Sequence, residues 1–222
     1  MKISNRLKLI ASFVDDDSNI IDVGCDHALL DIYLVQTKKN INAIASDINQ
    51  GPLESAKKNI ENYNLETKIK VKLGDGINTI DETTDTIVIS GLGGETIIEI
   101  LTSSPNKLKN IKTIIVSPHS AIYEVRTTIT NLGFKIENEV ITYDQNKPYI
   151  IIKFKKGQSK YTEEELFFGP ILLKNKTEYF YKYYQELNNT NKKLLKTIPS
   201  TNEEIIKKLQ EEIKRLDKIL KV

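Results

Sequence analysis

The stretch "IIDVGCDHALLDIYLV", residues 20–35, decides how this chain is read. A β-branched apolar run ends in a tight turn at Gly24, and a helical pattern follows, so the order is strand, turn, helix. Dinucleotide sites carry G-x-G-x-x-G at this place, which lets a pyrophosphate lie against the helix start. Here the later glycines are missing and Asp26-His27 stands where small residues belong. A diphosphate is therefore kept away. Asp22 and Asp26 suit a cofactor that carries an ammonium and a sulfonium, as S-adenosyl-L-methionine (AdoMet) does, far better than one that carries phosphates.

Working outward, residues 19 to about 155 alternate apolar runs with helical patterns. "NIIDV", "NAIAS", "IKVKL", "DTIVI" and "KTIIVS" are the strands, and helices are predicted near 28–37, 50–62, 93–103 and 120–131. Such alternation means crossover units and a parallel sheet covered on both faces. After Gly133, "FKIENEVITYDQNKPYIIIKFKK" reads as two strands joined by "DQNK", an antiparallel pair that closes the sheet edge. The fold class is α/β: a Rossmann-like, mostly parallel seven-stranded sheet over residues 1–158.

"GQSK" marks a boundary, and residues 159–222 contain no strand signal. Thr162 with Glu165 has capping-box spacing, and Gly169-Pro170 stops that short helix. Residues 171–197 are predicted as one long helix rich in Tyr and Leu. After the break at "IPST", Ile205, Leu209, Ile213, Leu216 and Leu220 recur every three or four residues, so an antiparallel helical hairpin, coiled-coil-like, is expected. Among its aromatics, Phe180, Tyr183 and Tyr184 are read as core more readily than as stacking surfaces for bases.

Ligands of a doubly wound sheet bind beyond the carboxyl ends of its strands. Those ends carry Asp22, Gly24, Cys25, Asp26 and His27 after the first strand, Asp47 and Ile48 after the second, Asp75-Gly76 after the third, Gly91 to Gly94 after the fourth, and Ser117 to His119 after the fifth. Asp47, 25 residues beyond Asp22, could accept both ribose hydroxyls or simply cap the next helix. Asp75 could receive the adenine amino group, with Gly76 letting the ring approach, or could end a strand in a turn. "ISGLGGE" lacks the Asn/Asp-Pro-Pro-aromatic clamp of amino-group methyltransferases; its glycines bring backbone close to whatever faces the sulfonium, or serve only a tight turn. His27 and His119 read equally as hydrogen-bonding turn residues. Cys25 reads as packing.

Composition excludes several classes. The chain has 222 residues and 39% apolar residues, enough for one domain with an appendage. One cysteine permits neither a disulfide framework nor a Cys-based zinc site, and no metal is expected. No apolar run approaches the roughly 20 residues of a membrane span, so a cytoplasmic, soluble protein without a membrane partner is expected. From Lys160 onward there are 13 basic and 10 acidic residues, against 19 and 20 before it. That mild asymmetry fits a solvated helical face.

In order and spacing, "DVGCDHALLDIYL", "SDINQGPLESAKKNI", "LGDGI", "SGLGGETI" and "SPHSAIYEVRTTI" resemble the bacterial TrmK family, tRNA adenine-22 N1-methyltransferases. "RLKLIASFV" near the start and "FGPILL" before the hairpin resemble it too, so the resemblance covers essentially the whole chain. One departure stands at Ser117-Pro118-His119, where the family is expected to carry Gln-Pro-Asn. The resemblance implies a class I AdoMet-dependent methyltransferase domain and a hairpin that helps hold the tRNA elbow; a monomer is expected. It matches the cofactor positions Gly24, Asp26, His27, Asp47 and Asp75. It implies that Asp26 offsets developing charge while Gly91, Gly93 and His119 shape the base pocket. Arg6, Lys8, Arg126, Lys192 and Lys193 would meet phosphates. Two other functions remain open on the residues alone: an AdoMet enzyme acting on a small molecule or protein, and a non-catalytic scaffold whose hairpin recruits a partner.

Overall fold

In a computed structural model, which describes residues 1–221, the strands are β1 (Asn19–Val23), β2 (Asn42–Asp47), β3 (Ile69–Leu73), β4 (Thr86–Ser90), β5 (Thr113–Ser117), β6 (Phe134–Asp144) and β7 (Lys147–Lys156). They form one sheet in the order β3-β2-β1-β4-β5-β7-β6. β1 to β5 run parallel, and β7 lies antiparallel between β5 and β6. The central strands are buried along nearly their whole length, as an all-apolar run covered by helices must be. Edge strand β3 exposes its lysine-bearing face, which blunts pairing with another chain. The predicted "DQNK" hairpin forms, with Gln145 and Asn146 both left-handed as a two-residue turn requires.

Helix α1 (Asn5–Phe13) precedes the sheet, and α2 (Leu29–Thr37), α3 (Gln50–Asn62), α4 (Gly94–Ser103) and α5 (Ile122–Asn131) lie in the connections between strands. α6 (Glu163–Phe168) starts on the predicted capping box, Thr162 and Glu165 each satisfying the other's backbone N–H. Then the sequence expectation fails: residues 171–197 are two helices. α7 (Pro170–Lys174) ends early, and α8 (Glu178–Thr197) starts anew with the Thr177 hydroxyl accepting the Phe180 N–H. A threonine cap fixes an extended residue at that place, so one continuous helix cannot form.

The boundary predicted at 158/159 also moves. The chain divides into a unit ending at Leu173 and a second beginning at Lys174. What ties residues 159–173 to the sheet is Arg126 on α5. It is fully buried, its Nε donates to Glu139 at 2.6 Å, and its Nη1 donates to the carbonyls of Leu166 and Phe167, both at 3.0 Å. Arg126 is therefore not a phosphate contact, as its sequence position suggested. An ion pair sealed from solvent has no face left for RNA.

The second unit is the hairpin of α8 and α9 (Glu203–Leu220). Leu209 and Leu216 of the predicted stripe are buried, while Ile205 is exposed. Asn188 donates to Asp217 at 2.8 Å and Asn191 to Glu212 at 3.0 Å, polar contacts that set the antiparallel register. Phe180 and Tyr184 are buried and pack edge to face at 4.7 Å, in line with a packing role rather than base stacking. Lys192 pairs with Asp217 at 2.7 Å and Lys193 is exposed.

Candidate active site

The strand order places five loops side by side along one edge: Asp75 after β3, Asp47 after β2, the 24–28 turn after β1, Gly91 to Gly93 after β4, and His119 after β5. Left-handed backbone occurs there at residues that ordinarily avoid it. Asp26, Ala28 and Ala121 adopt left-handed φ near +50°, a conformation costing non-glycine residues about 1–2 kcal/mol each. Such cost at one edge of a sheet marks a site held in shape by its surroundings.

The turn answers the question its sequence raises. The N–H groups of Gly24 and Cys25 both donate to the Ser46 carbonyl of β2, at 2.8 and 3.0 Å. Donors that would cradle a phosphate are thus spent inside the protein. The Cys25 carbonyl accepts from Ala28, and its side chain is buried, so Cys25 is a packing residue rather than a ligand contact. Burial pushes its thiol well above the ordinary range. Asp26 and His27 are exposed, their side chains 3.4 Å apart, and Asn59 of α3 holds the His27 carbonyl at 3.0 Å.

Asp22 lies otherwise than expected. It is buried beneath the turn and faces Asp31 of α2, which is completely buried. Neither oxygen of Asp31 meets a donor elsewhere. Burial raises both carboxyls, Asp22 to about 7, and Asp31 further because it faces the Asp22 charge; a proton on Asp31 is donated to Asp22. Asp22 therefore acts on the turn from below. Below 3.8, the ordinary value, folded and unfolded chains are both protonated. Between there and about 7 the unfolded chain releases protons the folded pair keeps, so stability falls as pH rises across that window and goes on falling above it for as long as Asp31 keeps its proton. Asp31→Asn keeps a donor for Asp22 and should flatten that slope: its melting temperature, relative to the parent, should gain steadily from pH 4 to 7. Parallel curves across the window would contradict a shared proton.

Asp47 is half-buried, and its Oδ1 accepts from the backbone and side chain of Asn49, at 2.8 and 3.3 Å. It shapes the start of α3 without capping it, since the N-cap Asn49 makes no side-chain cap bond. Both Asn49 bonds go to Oδ1 and neither to Oδ2. Ile48 beside it is exposed, as is Asp75. Gly76 does not open space for a ring. A Cβ there would meet Ile100 at 2.9 Å, so this glycine exists for close packing and its positive φ.

Of the glycines after β4, Gly94 is structural, since a Cβ would lie 2.2 Å from the Ser120 carbonyl. Gly91 is exposed with φ +83°, and Gly93 starts α4. The Ser120 hydroxyl accepts from the Gly94 N–H and donates to Glu95, tying α4 to the β5–α5 loop. His119 is exposed, its N–H bound to the Leu92 carbonyl at 3.0 Å and its ring 5.9 Å from Tyr149. Partial burial, then the charges of Arg6 and Lys147, lower its pKa, so the imidazole is neutral at neutral pH. Asp31, Arg6 and Tyr149 are the members of this edge that the sequence motifs did not mark as ligand-side groups.

Against this geometry, known proteins can be compared. The sequence profile of the TrmK family, described as tRNA (adenine(22)-N(1))-methyltransferase, matches residues 20–218. The chain belongs to this family. The tRNA (adenine(22)-N(1))-methyltransferase of Bacillus subtilis is 31% identical over 198 residues, covering 86% of this chain and 83% of that one. TrmK of M. capricolum, solved with S-adenosyl-homocysteine, superposes with a TM-score of 0.86 at 29% identity, covering 99% of this chain and 98% of that one. A Streptococcus pneumoniae protein solved in complex with S-adenosyl-L-methionine superposes with a TM-score of 0.90 at 34% identity, covering 99% and 100%. The Rossmann-like methyltransferase fold is shared with these solved structures over nearly the whole chain. Among the described residues no helix is long and apolar enough to cross a membrane.

Proposed function

We propose that the carboxyl edge of the sheet holds AdoMet across the β1–β2–β3 ends and presents its methyl group at β4 to N1 of adenine 22 of a tRNA. This chain is an AdoMet-dependent tRNA (adenine-22-N1)-methyltransferase. The observation that carries the cofactor assignment is the turn whose N–H donors are spent on Ser46, while carboxylates line the same edge. It repels a diphosphate and attracts a cation. Asp47 holds the ribose through its remaining oxygen, Asp75 meets the adenine amino group, and Asp26 with His27 faces the amino acid end.

AdoMet supplies an activated methyl group on a sulfonium. Adenine N1 carries an in-plane lone pair, so transfer needs alignment rather than a strong base. Neutral His119 and the bare backbone of Gly91 and Gly93 leave room for a flat ring and orient it. As positive charge passes to the ring, the Asp26 carboxylate stabilises it at short range. The target base leaves its stack to reach the site.

Lys8 of α1 and Lys193 of α8, both exposed, meet tRNA phosphates, the hairpin serves as the tRNA-binding extension, and the chain acts as a monomer. Measured by filter binding at several salt concentrations, Lys193→Glu should weaken tRNA binding and reduce the slope of log K against log[salt] by about 1. AdoMet affinity should not change. An unchanged salt slope would remove the hairpin from the interface.

A further inference from the structure

Arg6, so far grouped with surface cations, sits inside the site. It lies on the first turn of α1, and its guanidinium carbon is 5.0 Å from the centre of the Tyr149 ring. That ring packs in turn against His119. Its Nη1 is the side-chain atom nearest the place a Cβ would take on Gly91, 4.0 Å away. Its charge bears on both Asp22 and His119. Four observations thus put one guanidinium at the ends of β1, β4 and β5, where the acceptor base must lie.

Nη1 is also buried and has no hydrogen-bond partner among the described residues. A buried donor of a charged group left without an acceptor is costly, and a native structure that keeps one invites an explanation. The neighbouring surfaces are an aromatic ring and a glycine backbone, which accept a flat heterocycle and offer nothing to the solvation shell of a phosphate. With N1 turned to the methyl group and the exocyclic amino group a donor, the in-plane acceptors left on adenine are N3 and N7.

We infer that Arg6 is a substrate-binding residue of the acceptor pocket, donating from Nη1 to a ring nitrogen, N3 or N7, of the target adenine. This rests on the methyltransferase function above. Tyr149 holds the guanidinium in plane, and Gly91 leaves the space through which it reaches.

The test uses the full chain and unmodified tRNA carrying adenine, 3-deazaadenine or 7-deazaadenine at position 22. Arg6→Ala should lower kcat/KM on the adenine tRNA by about 10- to 100-fold, the effect expected for loss of a charge-assisted hydrogen bond. AdoMet affinity by calorimetry and melting temperature should stay near the parent's. Arg6→Lys should recover little, because an ammonium lacks the planar fork. One deaza tRNA should cost the parent about tenfold and cost Arg6→Ala nothing more, the mark of a shared contact. Deaza costs equal in parent and variant would overturn the inference, as would a variant whose only change is a shallower salt slope, which marks a phosphate contact. A parent that leaves adenine 22 unmethylated sinks the function and this inference together, whereas an active parent with equal deaza costs sinks this inference alone.

Discussion

Arg126→Met is expected to lower the stability of the chain by about 3–5 kcal/mol, because it leaves Glu139 buried without its counter-charge. The loss extends beyond one pair. The Arg126 guanidinium closes the carboxyl end of α6 through the Leu166 and Phe167 carbonyls, while Glu139 Oε2 accepts the Ile171 N–H at the start of α7 at 3.1 Å. Each charge meets the helix end whose dipole suits it. Gly169 fits between them because a Cβ there would lie 2.6 Å from Glu139. Urea unfolding should show Arg126→Met and Glu139→Gln each strongly destabilised. The double change Arg126→Met with Glu139→Gln should cost less than the sum of the singles, since no orphaned charge remains. Simple additivity would mean that the two residues act independently.

Asp47→Ala is expected to weaken AdoMet binding by about 100-fold or more, two hydrogen bonds to a charged acceptor at about 1.5–3 kcal/mol each. Asp47→Asn keeps one oxygen for the turn with Asn49 and puts an uncharged amide NH2 at the ribose, which can still donate to a hydroxyl oxygen, so its loss should be smaller. Isothermal titration of both variants separates the two functions of this carboxylate. Equal losses would mean that the carboxylate contact to the ribose, and not the shape of the α3 start, sets affinity.

How much of this was legible in the sequence differs from element to element. The five parallel strands were readable because central strands buried on both faces must be continuous apolar runs, and "TIVIS" and "TIIVS" are nothing else. The exposed carboxylates and glycines of the site followed from the rule that ligands sit past strand ends. Long-range side-chain meetings were not readable. Glu139 turns inward only because a bulge between Ile136 and Asn138 shifts the strand alternation by one residue, and no periodicity in "FKIENEVITYD" announces that. Arg126 looked like a surface cation for the same reason: its partner lies 13 residues on, across a helix-to-strand turn. Asp31 did leave a signal, an acid within the otherwise apolar "LLDIYLV". An unexplained carboxyl on a buried helix face asks for a partner, but nothing in the sequence singles out Asp22 over the closer Asp26 and His27. Arg6 and Tyr149 belong to α1 and β7, elements outside the crossover pattern that organised the rest of the site.

The most direct test of the central claim is nucleoside mass spectrometry of unmodified tRNA incubated with the chain and methyl-labelled AdoMet. The expected product is labelled 1-methyladenosine in tRNAs with adenine at position 22, and none when that base is replaced by guanine. Failure to form 1-methyladenosine in any adenine-22 tRNA, or its undiminished formation after the replacement, would contradict the account.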